Sequence, residues 1–278
     1  MTRQTSKICA FCGECHRLTK EDFWPSWARK YCSIPPNTGF TGHAVSLNKP
    51  LEGGRFDQRV SLGCLTRHGH PFDQTLRIVC AECNNGWMSG LQEKAKPHLL
   101  PHLLGEWPEK DETAQRALSA WMCMTTLVLE RAHPPTAYNT PEERLNFRSR
   151  MEPAGDWQIW VGHVEGTKWI GTFNHVCLFG RIHGKSTDAS QPNVAVGQWT
   201  ALAMGNLFLI GANGLYHYAG LSDLAAGGLM RIWPAPESIA PPAVTLTDEQ
   251  ADLLSRSLSP PESRPMIRPA WIVPGVYP

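Results

Sequence analysis

Two Cys-x-x-Cys steps lie far apart in this chain. Cys9-Ala10-Phe11-Cys12 is followed by Gly13, and Cys80-Ala81-Glu82-Cys83 is followed by Asn84-Asn85-Gly86-Trp87-Met88. No other feature constrains the fold as tightly. A Cys-x-x-Cys turn aims two sulfurs at one point, and two such turns supply the four thiolates of a tetrahedral zinc shell. Gly13 suits the tight turn at the first step. The spacing leaves alternatives open. Cys12-Gly13-Glu14-Cys15 is itself a Cys-x-x-Cys, so Cys15 can replace Cys9, and His16 is a further candidate ligand. Cys32, Cys64, Cys123 and Cys177 read as reduced thiols packed as small hydrophobes.

Redox setting follows from the same cysteines. Nine Cys stand behind a polar N-terminus, Met1 to Lys7, that has no signal-peptide core. That pattern predicts a reducing, cytoplasmic compartment and favours metal or free thiols over disulfides. No apolar run is long enough to span a bilayer, so no membrane partner is expected. With 278 residues, 42% of them hydrophobic and 11 of them Trp, the chain has material for one large domain or two modest ones. Charge is uneven. Residues 1–100 hold 13 Lys and Arg against 8 Asp and Glu, a net of +5, and the remainder holds 13 against 17, a net of −4. The cysteine-bearing part is the basic part, which favours an anionic partner there, nucleic acid before others.

Between and after the two steps, local signals place the elements. Pro25 argues against a helix through residues 18–27 and suits the start of a short one running to Tyr31. Residues 34–58, with Pro35-Pro36 and Gly53-Gly54, read as loop or weak hairpin. Arg59–Leu65 and Thr75–Val79 are rich in β-formers and predict a hairpin around Arg67-His68-Gly69-His70-Pro71. Asn84 reads as a helix N-terminus with a capping side chain, the helix carrying Trp87, Leu91 and Ala95 towards Pro97 or slightly past. Residues 101–110 read as a linker. Ala117, Trp121, Met124 and Val128 fall at helical spacing within Thr113–Ala132, and a second helix is expected over Pro141–Met151, capped by Asn139 or Thr140. Strands follow at Trp157–Val164, Trp169–Arg181, Val194–Ile210 (one strand or two) and Leu229–Trp233, then a helix at Asp248–Leu258 and a Pro-rich tail. The expected fold class is α+β: a zinc-stapled module over 1–105, a helix plus antiparallel-sheet domain over 106–258, and the tail over 259–278.

The order Cys-x-x-Cys-Gly, then Leu18-Thr19-Lys20-Glu21-Asp22 with Pro25, then Arg77-x-Val79-Cys80-x-x-Cys83-Asn84-Asn85-Gly86-Trp87-Met88, resembles the HNH endonuclease superfamily, the ββα-metal fold. It is most similar to a group of bacterial and phage HNH proteins with Leu-Thr-x-Glu-His-x-x-Pro upstream and Cys-x-x-Cys-Asn-x-Gly-Trp-Met downstream. The likeness covers roughly residues 8–100. It implies that zinc on Cys9, Cys12, Cys80 and Cys83 is structural, and that a second ion, Mg2+ or Mn2+, carries the chemistry. Mapped onto this chain, Glu21 or Asp22 and Asn84 become ligands of that second ion, which offsets charge on the scissile phosphate and the leaving oxygen.

Two signature positions depart from the family. Asp22 stands where the family has its general-base His, and Thr75 falls where the family has the middle Asn. An ordinary aspartate is ionised but a weak base at neutral pH. Three readings follow: Asp22 is a metal ligand and a metal-bound hydroxide attacks; His68 or His70 swings in as base; or the module only binds nucleic acid. A module that serves only protein interaction is a further class. Lys20, Arg77 and Lys94 are candidate phosphate contacts. Trp24 and Trp27 can stack on bases, but core packing is the favoured reading.

Overall fold

The chain is seen in a computed structural model, which describes residues 7–32, 40–41, 44–50, 56–62, 67–68, 71–132, 137–167, 169, 171–180, 194–214, 228–235 and 244–256. The expected tail over 259–278, along with Cys64 and His70, lies outside them. Within the described residues the architecture is mixed helix and sheet, the α+β class.

The first part is built from short strands. β1 (Lys7–Ile8) pairs antiparallel with β2 (Cys15–His16) and closes the first cysteine turn. β3 (Leu18–Asp22) leads into a 3₁₀ helix over Ser26–Tyr31, which follows Pro25 as expected. β4 (Phe40–Thr41), β5 (Ala44–Pro50), β6 (Phe56–Leu62) and β7 (Arg67–His68) come next, with β5 antiparallel to β6 and β4 to β7. β8 (Thr75–Cys80) runs straight into α1 (Ala81–Cys83), a π-helical turn over Asn84–Met88 and α2 (Ser89–Leu103).

Strand pairing here differs from the expected hairpin. β8 pairs antiparallel with β3, Leu18 opposite Cys80 and Asp22 opposite Thr75. The 56–62 strand instead takes 44–50, so the region read as loop or weak hairpin holds one arm of a hairpin. Alternation marks a strand without naming its partner. The partner of β8 is the strand next to the other cysteine pair.

α2 also runs past Pro97 and through Pro101 to Leu103, shortening the expected linker. Leu91, Ala95, Leu99 and His102 continue one buried stripe across both prolines. Packing of that stripe offsets the lost backbone bonds.

α3 (Glu112–Leu129) is capped by Asp111, whose carboxylate accepts from the Ala114 amide at 2.7 Å, and is buried nearly throughout its length. α4 (Pro141–Arg150) has Pro at its first position and a reciprocal capping box between Thr140 and Glu143. β9 (Gln158–Val164), β10 (Thr172–Gly180), β11 (Val194–Met204), β12 (Leu207–Gly214), β13 (Met230–Trp233) and β14 (Thr245–Leu246) form one sheet ordered β10-β11-β12-β9-β13. β14 adds parallel to the end of β9, and the other pairings are antiparallel. The 194–210 stretch is two strands because Gly205, at φ +63°, makes a two-residue turn with Asn206.

Period-two alternation splits the sheet between two cores. Leu202, Met204, Leu207 and Leu209 face α2 and α3, in a cluster that continues without a break to Val79, Met88 and the cysteines. Trp199, Ala201, Phe208 and Ile210 face the other way, where α5 (Asp248–Arg256) contributes Ala251 and Leu254. Among the described residues no helix is long and apolar enough to cross a membrane.

Candidate metal centre

Chain direction reverses tightly after Cys9. The Gly13 amide donates to the Cys9 carbonyl at 3.1 Å and the Cys9 amide to the Glu14 carbonyl at 2.9 Å. Gly13 takes φ +74°, the left-handed region where a Cβ is penalised, which is why a glycine follows Cys12. The turn docks on β8 through Ala10, whose amide donates to the Ile78 carbonyl at 2.8 Å. On the other side, the Cys80 sulfur accepts from the Cys83 amide at 3.5 Å and so caps α1, and the Cys80 amide donates to the Cys9 sulfur at 3.3 Å.

These turns bring four sulfurs together. Cys9, Cys12, Cys80 and Cys83 have all their Sγ atoms within 4.8 Å of one another, and Cys12 and Cys80 are 3.8 Å apart at sulfur. A disulfide needs about 2.05 Å. A regular tetrahedron with Zn–S near 2.3 Å puts its sulfurs about 3.8 Å apart. The donor set and its spacing therefore fit one metal ion of the zinc kind. The electrostatics agree. Burial raises the Cys9 thiol, but the main-chain N–H groups of Cys12, Cys80 and Phe11 outweigh it and bring it down to about 7. Burial and the neighbouring Cys9 and Cys80 push Cys12 up to about 11, and burial with the same neighbours raises Cys83. Four thiolates repel one another, and a divalent cation removes that penalty. Cys15 and His16 are described only as the backbone of β2. Cys32 and Cys123 are buried and free, as expected.

Phe11 and Trp87 close over the centre, edge to face with centroids 5.0 Å apart, while Met88 is fully buried beneath. Trp24 is core, 2% exposed against Phe72 and Phe173. Trp27 is half-buried, edge-on to Tyr31 with the Lys96 ammonium 5.6 Å over its ring.

Asn84 does not cap the helix, because Cys80 already does. Its side-chain amide reaches back to β3 and donates to the Lys20 carbonyl at 2.7 Å and the Thr19 hydroxyl at 3.0 Å. The register of β3 on β8 shifts between Thr19 and Glu21, which takes Lys20 out of the ladder and frees that carbonyl. With both contacts made by Nδ2, Oδ1 is left to accept or ligate.

Glu21 and Asp22 are successive strand residues and so face opposite sides. Glu21 is 3% exposed, with Gln92 of α2 donating to it at 3.4 Å. Burial, then the neighbouring Asp22 charge, push its carboxyl up to about 8. Asp22 is half-buried on the other side. Burial and Asp73 push its carboxyl up, against an opposing pull from Lys20. Asp73, itself paired with Arg29, carries no sequence signal of this role, since only the β3–β8 pairing brings it to Asp22. His68 is described only as the backbone of β7, and His70 lies outside the described residues.

Comparison with protein-family models, with curated proteins and with solved structures found no match for the chain.

Proposed function

We propose that this chain is a divalent-metal-dependent endonuclease of the HNH type, hydrolysing phosphodiester bonds of nucleic acid, DNA before RNA. One observation carries the reading. β8, paired antiparallel with β3, runs into a helix beside four clustered thiols, and Asn84 in that helix reaches back to β3 at Lys20, next to Glu21 and Asp22. In this reading zinc on the four cysteines fixes strands against helix. Asp22, with Asn84 Oδ1, holds magnesium or manganese, which when bound offsets charge on the scissile phosphate and leaving oxygen. Asp22 stands where the family has its general-base His, and in this reading it serves there as a metal ligand. Lys20, Arg77 and Lys94 are exposed on β3, β8 and α2 and serve as phosphate contacts.

A second reading is an HNH-like binding module without activity. It is favoured by Glu21, which turns into the core towards Gln92 and not to the surface that a substrate would meet.

A supercoiled-plasmid nicking assay with magnesium or manganese separates the two. The nuclease reading expects metal-dependent nicking by the wild type and its loss in Asp22→Ala and Asn84→Ala. An intact plasmid with a folded, zinc-loaded wild type, together with a salt-dependent mobility shift, selects the binding module. Nicking gained by Asp22→His would then mark a nuclease disarmed at one position.

A further inference from the structure

α4 is a polar helix, Pro-Glu-Glu-Arg-Leu-Asn-Phe-Arg-Ser-Arg, yet two of its residues are buried, Arg144 and Phe147. They lie three apart and so share one face. Both are directed at the first cysteine turn. Phe147 packs on Trp87 with centroids 5.9 Å apart, and Trp87 packs on Phe11, which lies between Cys9 and Cys12. Arg144 goes further. Its Nε donates to the Ala10 carbonyl at 2.9 Å, while the Ala10 amide is already bonded to Ile78. The peptide between the two ligands is thus held from both sides, by β8 and by a guanidinium from a helix more than a hundred residues away (|i−j| = 134).

The guanidinium is itself held in place. Its NH1 pairs with Glu130 at 2.9 Å and bonds the Asn139 carbonyl. Glu130 accepts from the Asn139 amide at 3.1 Å and from Asn139 Nδ2 at 2.9 Å, and Asn139 Oδ1 accepts from Asn213 of β12 at 3.1 Å. Arg144, Glu130, Asn139 and Asn213 are each no more than 5% exposed. A buried pair replaced by apolar groups is often no less stable, so burial alone does not account for an Arg here. What an apolar residue cannot supply is the planar donor set that meets Ala10, Glu130 and Asn139 together.

We propose that Arg144 is a positioning residue for the four-cysteine metal centre. It fixes the Cys9–Cys12 turn through the Ala10 carbonyl and makes metal retention depend on α3, α4 and β12. Outer partners of this kind orient the ligands of a metal site. The proposal rests on the four thiols and not on the nuclease reading.

The test is the rate at which zinc passes from the protein to a colorimetric chelator, read beside the urea unfolding midpoint. Arg144→Met alone strands the Glu130 carboxylate, so the informative variant is Arg144→Met with Glu130→Gln, which removes both charges and leaves an acceptor for Asn139. It is expected to keep the wild-type midpoint and release zinc about 10–100-fold faster, the range an outer-shell partner is worth. Arg144→Lys retains a charge for Glu130 but reaches fewer acceptors, and it too is expected to release zinc faster at an unchanged midpoint. If either variant is folded and releases zinc at the wild-type rate, the proposal is wrong. It is equally wrong if release quickens only in step with loss of the midpoint in both. Plasmid nicking does not enter the readout, so failure of the nuclease reading leaves this result intact.

Discussion

Glu21 allows the sharpest quantitative prediction. The residue is 3% exposed, and burial with the Asp22 charge raises its carboxyl from an ordinary 4.5 to about 8. A raised carboxyl stabilises the fold below the unfolded pKa, and that contribution is lost as pH rises through the folded one. Between 4.5 and 8 the folded chain holds a proton that the unfolded chain has released. Linkage over that window removes about 3 kcal/mol by pH 7 and about 5 kcal/mol by pH 9, as orders of magnitude. Glu21→Gln is near-isosteric, keeps a partner for Gln92 and carries no charge, so it escapes this loss. Urea unfolding, followed by Trp fluorescence from pH 5 to 9 without added magnesium, manganese or chelator, reads the difference. Glu21→Gln is expected to match the wild type near pH 5, to exceed it by about 3 kcal/mol at pH 7, and to gain further above. A difference that stays constant with pH, or a variant less stable throughout, would refute the buried, protonated carboxyl.

Three further outcomes are expected. The purified chain should carry about one zinc, and Cys12→Ser or Cys83→Ser should lose it together with folding cooperativity, read by metal analysis beside thermal melting. Asn84→Asp keeps an oxygen for a metal but sets a carboxylate against the Lys20 carbonyl now bonded at 2.7 Å; it should cost about 1–3 kcal/mol in urea, more than Asn84→Ser, and equal stability would show that the β3 contact is idle. His102, buried beside Lys110 and His163, is held down to about 3 from 6.5, so the stability it protects is present above 6.5 and drains as pH falls towards 3; at pH 5 the loss is about 2 kcal/mol, and His102→Leu should flatten that part of the stability–pH curve.

Features fixed by neighbours in the chain were legible in the sequence. The Cys9–Gly13 turn, the helix after Pro25, the capping of α4 by Thr140 and the buried stripe of α3 each follow from residues within a turn or two of one another. Pairing was not legible. Thr75–Cys80 and the strand before it both alternate, and proximity in the chain favoured their hairpin, yet β8 took β3. The four thiols explain that outcome physically. Leu18 opposite Cys80 sets the end of β3 beside the second cysteine pair, and the turn at Cys9 then closes the square through Ala10 and Ile78. Asn84 departs from expectation for a related reason: the cap comes from the Cys80 sulfur, so its amide bonds the bulged strand.

Arg144 is the hardest case, and it shows what single-sequence reading misses in kind. On a helix half of whose residues are charged, an Arg reads as solvent-facing, because burying a charge is costly unless it is paired. Here Glu130, at the C-cap of α3, and Asn139, in the loop after it, lower that cost, and the guanidinium is left free to hold a carbonyl in the metal turn. None of those partners carries a motif. The dependence of the cysteine turn on a distant polar helix is therefore invisible to spacing and periodicity. It also predicts where the chain divides: a fragment ending at the expected 105 boundary keeps all four cysteines but loses Arg144, Phe147 and the α3 face, so it should hold zinc more weakly than the whole chain. A fragment that retains zinc as slowly as the full-length protein would show that the turn needs nothing beyond its own strands.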